Sequence, residues 1–419
     1  MRRILNKYVL LIFSIFFLVN PVFSKTPKLK TGKWYTQFQL SEHDFLPVIF
    51  EFKKENKKNQ LYIINGNEQI LLEDIDFQGD SIFVQFPAFA SELRMKAHSK
   101  THISGNWYNH AKKGNYFLPF WSKHNFADRF PRNEGNFYLD GKWEVTFDYK
   151  GESEKAVGLF NGAQYGIQKK IDEDYQSHIN GTFLTETGDY RFLEGAVVKD
   201  SIYLSTFDGS HAFLFKALMK EDTLWGEFLS GKHYKTEWFA VKNENFELRH
   251  PDSLTQVTSE QPIAFTLPST KGGNYTYPNS DLKDKVVLIQ IMGTWCPNCL
   301  DESMYLKNLY AKYENQLEII AVTFETQKEL DQKLEKVKSY QRNLELPWEF
   351  LVGGGACKPC ALELFPMLND IMSFPTLIVI DKKGNIRKIH TGFSGPGTGK
   401  YYDQFVSSMD DYIDHLIKE

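Results

Sequence analysis

Four cysteines stand in 419 residues, and all four fall into C-x-x-C pairs. Cys296 and Cys299 lie in "GTWCPNCLDES", and Cys357 and Cys360 in "GGGACKPCALELF". Thiols at this spacing carry thiol–disulfide exchange, close a local disulfide or help bind zinc. At the first pair an apolar run, "VVLIQIM", leads into a stretch of helical periodicity over residues 297–315. Pro297 suits the first helical position, where a missing N–H costs nothing. Cys296 then precedes unpaired N–H groups and the positive end of the helix dipole, the setting a nucleophilic sulfur needs. Cys299, one turn on, can attack a mixed disulfide formed at Cys296. Residues three apart on a helix also meet the roughly 4.4–6.8 Å Cα separation of a disulfide.

The second pair follows a predicted strand over residues 348–353. If that strand runs parallel to the one before Cys296, its C-terminal end reaches the same sheet edge, where sites of open α/β sheets collect. Three readings of Cys357 and Cys360 stay open: a local disulfide holding the loop after Gly353, Gly354 and Gly355; a redox partner that exchanges with Cys296; or a four-thiolate zinc site shared with the first pair. Zinc would occupy the reactive-looking cysteines permanently, and no metal site is assigned. The eleven histidines show no H-E-x-x-H spacing. His390, in a predicted strand, reads as packing or surface. "SGPGTGKYY" fails as a phosphate loop, because Ser394 and Tyr401 stand where the motif needs Gly and Ser or Thr.

The elements that must position these thiols alternate. Buried strands are predicted over 286–292, 317–325 and 348–353, an amphipathic helix over 327–341, a hairpin over 375–392 turning at Lys383-Gly384, and a closing helix over 401–419. Strands alternating with helices argue for an α/β domain whose first strands are parallel.

The stretch 262–419 resembles the thioredoxin fold, and within it the TlpA/ResA-like exported thiol–disulfide oxidoreductases. The residues that carry the resemblance are "FTLPSTKGGNYTYPNSDLKDKVVLIQIMGTWCPNC", "IIAVTFE" and "SFPTLIVIDKKGNIRKIHTG". It implies catalysis by Cys296 and Cys299, with Glu302 as an acid that manages the proton on the buried thiol. It implies that Pro375 is a cis-proline facing the pair, and that Trp295, Pro297, Phe374, Pro375 and Thr376 contact substrate. It implies no cofactor beyond a redox-active Cys296–Cys299 disulfide. Its partners would be disulfide-containing exported proteins and a membrane thiol-electron donor, with reduction as the direction. An oxidase or isomerase of the same fold is the alternative. Met304 stands where the family often has proline, Phe374 is bulkier than usual, and Gln290 takes the place of thioredoxin's buried acid.

Residues 26–248 read differently. Short alternating runs such as "DSIFVQF" and "DGKWEVTFDYKG" are broken by Gly, Asn, Asp and Lys, the pattern of antiparallel strands with one wet face. "TGKWYTQF" at Thr31 echoes in "DGKWEVTF" at Asp140, "DSIFVQF" in "DSIYLSTF", and Gly105 in Gly226. The offset grows from 109 to 121, which predicts a duplicated β-meander or barrel with about eleven residues inserted in the second copy. Six of the eight tryptophans lie in this half and are expected in its core. A partner of these β domains is expected but not identified, and a binding protein whose β domains carry the main role is a second alternative.

The formal net charge of −4, without a basic block, gives no reason to expect nucleic acid. Arg2, Arg3 and Lys7 ahead of "YVLLIFSIFFLV" read as a secretory signal cut before Lys25. The apolar run is shorter than the roughly 20 residues of a membrane span. The expected product is exported, periplasmic and soluble, where disulfides persist. The expected organisation is a signal peptide over 1–24, β domains over 25–136 and 137–248, a linker over 249–261 and a thioredoxin-like domain over 262–419.

Overall fold

The computed structural model describes residues 28–125, 128–130, 137–149, 151–162, 178–313 and 315–419; the expected signal peptide lies outside them. The first β unit is one nine-stranded antiparallel sheet built on Gly32–Gln39. That strand lies between Phe45–Glu55 and Phe117–His124, and the sheet continues through His102–Asn109, Ser91–Ser99, Ser81–Gln85 and Ile75–Gln78. The second unit repeats the order. Gly141–Tyr149 lies between Glu152–Gly162 and Tyr234–Lys242, followed by Thr223–Ser230, Ala212–Lys220, Ser201–Phe207 and Leu193–Val198. Here Glu152–Gly162 also pairs with His178–Thr185, so the sheet closes into a barrel.

Details of packing repeat with the order. The buried indoles of Trp34 and Trp143 each donate to the carbonyl four residues earlier, Lys30 O at 3.0 Å and Leu139 O at 2.9 Å. Gly105 and Gly226 each lie where a Cβ would collide with a carbonyl of the neighbouring strand, Arg94 O or Lys216 O. The extra length of the second copy falls between Glu152–Gly162 and His178–Thr185, where the first copy has only a tight turn from Phe45–Glu55 into Lys58–Asn65. Of the six tryptophans, Trp34, Trp107, Trp143 and Trp238 are core, whereas Trp121 and Trp225 are exposed. The two exceptions sit on outward positions of their strands, Trp225 against Phe239 and Trp121 against Tyr35.

In the C-terminal domain the strands Glu349–Gly355, Leu317–Glu325 and Val286–Met292 are parallel, and Thr376–Ile380 and Ile386–Thr391 complete the sheet antiparallel. All seven residues of Val286–Met292 are buried, as a central strand covered on both faces requires. Helices Pro297–Tyr313, Leu330–Asn343, Lys358–Leu364 and Lys400–Lys418 follow the strands. The expected linker is docked rather than free. Asp252 accepts from His390 Nδ1 at 2.8 Å and lies 3.0 Å from Lys388 Nζ, which gives His390 its partner. Among the described residues no helix is long and apolar enough to cross a membrane.

Candidate functional site

The strand Val286–Met292 delivers Gly293, Thr294 and Trp295 to the start of the helix Pro297–Tyr313. Gly293 has to be glycine, since a Cβ would strike the Trp295 indole as it folds back to donate to Phe324 O at 2.9 Å. Thr294 is held by one carboxylate. Its N–H reaches Glu325 Oε1 at 2.9 Å and its hydroxyl Glu325 Oε2 at 2.7 Å. The neighbouring strand thus fixes the loop that presents Cys296.

Cys296 is 7% exposed and Cys299 is fully buried; both are free thiols. The Cys299 N–H donates to Cys296 Sγ at 3.2 Å, so the first sulfur caps the helix. On its other side Cys296 S–H donates to Phe374 O at 3.4 Å, and the Phe374–Pro375 peptide bond is cis. Phe374 is half-buried against Trp295 and Phe324, with ring centroids 5.8 and 5.7 Å away. Pro297, Pro375 and Thr376 are buried, and the Thr376 hydroxyl donates to Ser373 O at 2.8 Å.

Behind the pair lies Glu302, without exposed surface. Its Oε2 accepts from Gln290 Nε2 at 2.9 Å, and the same amide reaches Cys299 O at 3.4 Å. Oε1 has no hydrogen-bond partner among the described residues. Burial pushes the Glu302 carboxyl up to about 8, with the Gln290 bond opposing. Burial also pushes the Cys299 thiol well up, and Cys296 and the charge of Glu302 act in the same direction.

Cys357 and Cys360 form a disulfide, with Cys357 capping the helix Lys358–Leu364. The register sets Glu325 against Gly355 and Met292 against Thr323, so both pairs occupy one sheet edge. The strands that lead into the two pairs lie two strand spacings apart, about 10 Å. Glu325 joins them: its carboxylate holds Thr294 and its carbonyl accepts from the Ala356 N–H at 3.0 Å.

The second β unit reaches this site, which the sequence does not announce. Arg191 donates to Pro297 O at 3.2 Å, Asp301 Oδ2 at 2.5 Å and Glu68 Oε1 at 2.6 Å, and its Nε lies 3.5 Å from Asp208. One guanidinium therefore joins both β units to the first turn of the redox helix. Ser210 donates to Trp295 O at 3.0 Å, Asn298 to Asp189 O at 3.4 Å, and Ser373 to Thr187 O at 2.7 Å. Three glycines of the redox domain admit this approach. A Cβ on Gly392 would come 2.9 Å from Thr187 C, one on Gly395 3.2 Å from Asp189 Oδ2, and one on Gly397 2.9 Å from Arg191 C. Burial, helped by Asp189 and Glu68, pushes Asp301 up to about 7 against the pull of Arg191. Burial would weaken the Arg191 cation, but Asp301, Glu68 and Asp208 outweigh it and hold its pKa well up.

Residues 256–405 match the family model described as Redoxin. The thioredoxin-like protein YneN of Bacillus subtilis is 30% identical over 112 residues, 27% of this chain and 59% of that protein. The thiol-disulfide oxidoreductase ResA of Halalkalibacterium halodurans is 30% identical over 134 residues, 32% of this chain and 68% of that protein. The chain belongs to the ResA family of thiol–disulfide oxidoreductases. Among solved structures, the thiol:disulfide interchange protein of Chlorobium tepidum is 17% identical, with a TM-score of 0.29, over 38% of this chain and 99% of that one. The ResA-type region is the C-terminal one, and the chain spans 59% of the YneN relative's length.

Proposed function

We propose that this ResA-family chain is an exported protein disulfide reductase that works through Cys296 and Cys299. One observation carries the reading: Cys296 Sγ lies between the N–H of Cys299 and the carbonyl of Phe374, beside cis-Pro375. A substrate strand laid against Pro375 and Thr376 brings its disulfide to that sulfur. The Cys296 thiolate attacks one substrate sulfur, forming a mixed disulfide and releasing the other as a thiolate. Cys299 then gives up its proton and attacks Cys296 Sγ. The Cys296–Cys299 disulfide forms, and the substrate leaves with two electrons and, from water or the site, two protons. Glu302, buried behind the pair and held by Gln290, takes the Cys299 proton in the fraction of molecules whose Glu302 carboxyl, pushed up to about 8, is ionised, and returns it when the pair is reduced again. No cofactor beyond this dithiol–disulfide couple enters, and an external thiol donor, at the membrane, resets it.

The raised Cys299 thiol supports the reducing direction. A thiolate that the site does not stabilise is a poor leaving group, so the disulfide is the favoured form and the dithiol donates electrons. The test is the reduction potential of the first pair together with a Cys299→Ser trap. A potential below about −200 mV, with mixed disulfides accumulating through Cys296, supports the proposal; one near −120 mV makes the protein an oxidase. Failure to trap any partner and to reduce insulin would remove the enzyme reading altogether.

A further inference from the structure

The barrel of the second β unit is closed along its side, yet one end holds a cavity of about 230 Å³. Phe147, Tyr190, Phe228 and Tyr234 wall it, with Glu154 and Thr236. Glu154 pairs across the ladder with Phe147 and shares the inner face of its strand with the buried Ala156 and Phe160. Its carboxylate therefore belongs to the barrel interior, at the open rim, where more than a third of the residue stays exposed. It has no hydrogen bond or ion pair among the described residues, although the charge of Lys358 acts on it from a distance. The surrounding protein, and secondarily Glu186, raises its pKa above the usual carboxylate range.

Phe228 is stacked on Phe215, with centroids 4.3 Å apart, and the other rings of the cavity stand steeply against it. Tyr190 stands at 89° to Phe228 with centroids 5.2 Å apart, Tyr234 at 68° and 6.0 Å, and Phe147 at 61° and 6.1 Å. Aromatic faces around one unpaired carboxylate complement an organic ammonium group. A neutral apolar ligand would leave Glu154 desolvated and unpaired, and an anion would be repelled. The position narrows the source of the ammonium. Tyr190 lies between Asp189, whose carbonyl meets Asn298, and Arg191, which meets Pro297 O. Lys358, sensed at the rim, lies between the cysteines of the second pair. Tyr190 thus ties the cavity wall, through its two chain neighbours, to the first turn of the redox helix.

We propose that the barrel end is a specificity pocket for a lysine side chain on the polypeptide whose disulfide engages Cys296. The inference rests on the exchange reading above. It is tested with two disulfide-bearing peptides that differ only in a lysine, free or acetylated, a few residues from the cysteine. The full chain should turn over the free-lysine peptide about tenfold better in kcat/KM, a ratio within reach of a cation–π contact plus a charge pair. In Glu154→Gln the ratio should collapse toward one, and n-butylammonium should inhibit only the free-lysine peptide. A ratio near one in the unaltered chain, or an unchanged ratio in Glu154→Gln, overturns the proposal. So does binding of n-butylammonium without any peptide preference, which would give the cavity to a free amine. Turnover of the acetylated peptide reports separately on exchange. If neither peptide reacts, their relative affinities for Cys296→Ser decide the pocket alone.

Discussion

Glu302 keeps its proton at neutral pH because its carboxyl lies wholly inside the protein, with Gln290 as its hydrogen-bond donor. In an unfolded chain a glutamate loses its proton near 4.3, roughly speaking. Between there and about 8 the folded protein holds the extra proton, so raising the pH lowers stability. The contribution is whole below the unfolded value and gone above the folded one. In Glu302→Gln, the urea midpoint should therefore fall less between about pH 5 and 9 than in the unaltered chain. Asp301, pushed up to about 7, acts with the same sign and keeps part of the slope. A variant that falls as steeply would remove Glu302 as a buried proton store. The thiols, Glu302 and Pro375 are legible in the sequence because C-P-N-C, an acid one turn on and S-F-P are local patterns. Arg191 is not, since its partner Asp301 is 110 residues away and nothing beside Arg191 marks it.

At the scale of elements, the loop "SGPGTGK" finds its reason in the contact it permits. It reads in sequence only as a glycine-rich lead into the last helix, yet at Gly395 and Gly397 it lies close against the second β unit. In Gly397→Ala the new Cβ meets Arg191 backbone at 2.9 Å, and backbone cannot swing aside. A loss of about 1–3 kcal/mol is expected in thermal unfolding. Gly355→Ala, with open space around it, should stay within about 0.5 kcal/mol. Equal losses at the two positions would mean that the seam adds nothing. Strand and helix types are read correctly from periodicity, while their ends shift. The strand expected over 348–353 runs as Glu349–Gly355, because an irregularity at Thr323/Phe324 lets Gly354 and Gly355 keep pairing.

For the whole molecule, the question is what makes three units one. Arg191 joins Glu68 of the first, Asp208 of the second and Asp301 of the third, and all four are largely or wholly buried. Arg191→Met leaves three buried carboxylates without their shared cation. A loss of about 3–5 kcal/mol is expected, with the redox domain and β units unfolding in separate urea transitions. A single unshifted transition would show that other contacts suffice, such as Lys336 to Ala88 O and Asn343 to Pro87 O. The duplication is visible in the sequence because Trp34 and Trp143 do the same work in each copy. Closure of the second copy through Glu152–Gly162 and His178–Thr185 is not visible, nor is the docking, since both depend on pairings between residues distant in the chain. The seam fitted around Gly392, Gly395 and Gly397 also bears on descent. A surface shaped by missing side chains accepts change only when both faces change together, so the β units and the redox domain form a single unit of inheritance. Exchange of either half for a relative's would yield two parts that fold and do not meet.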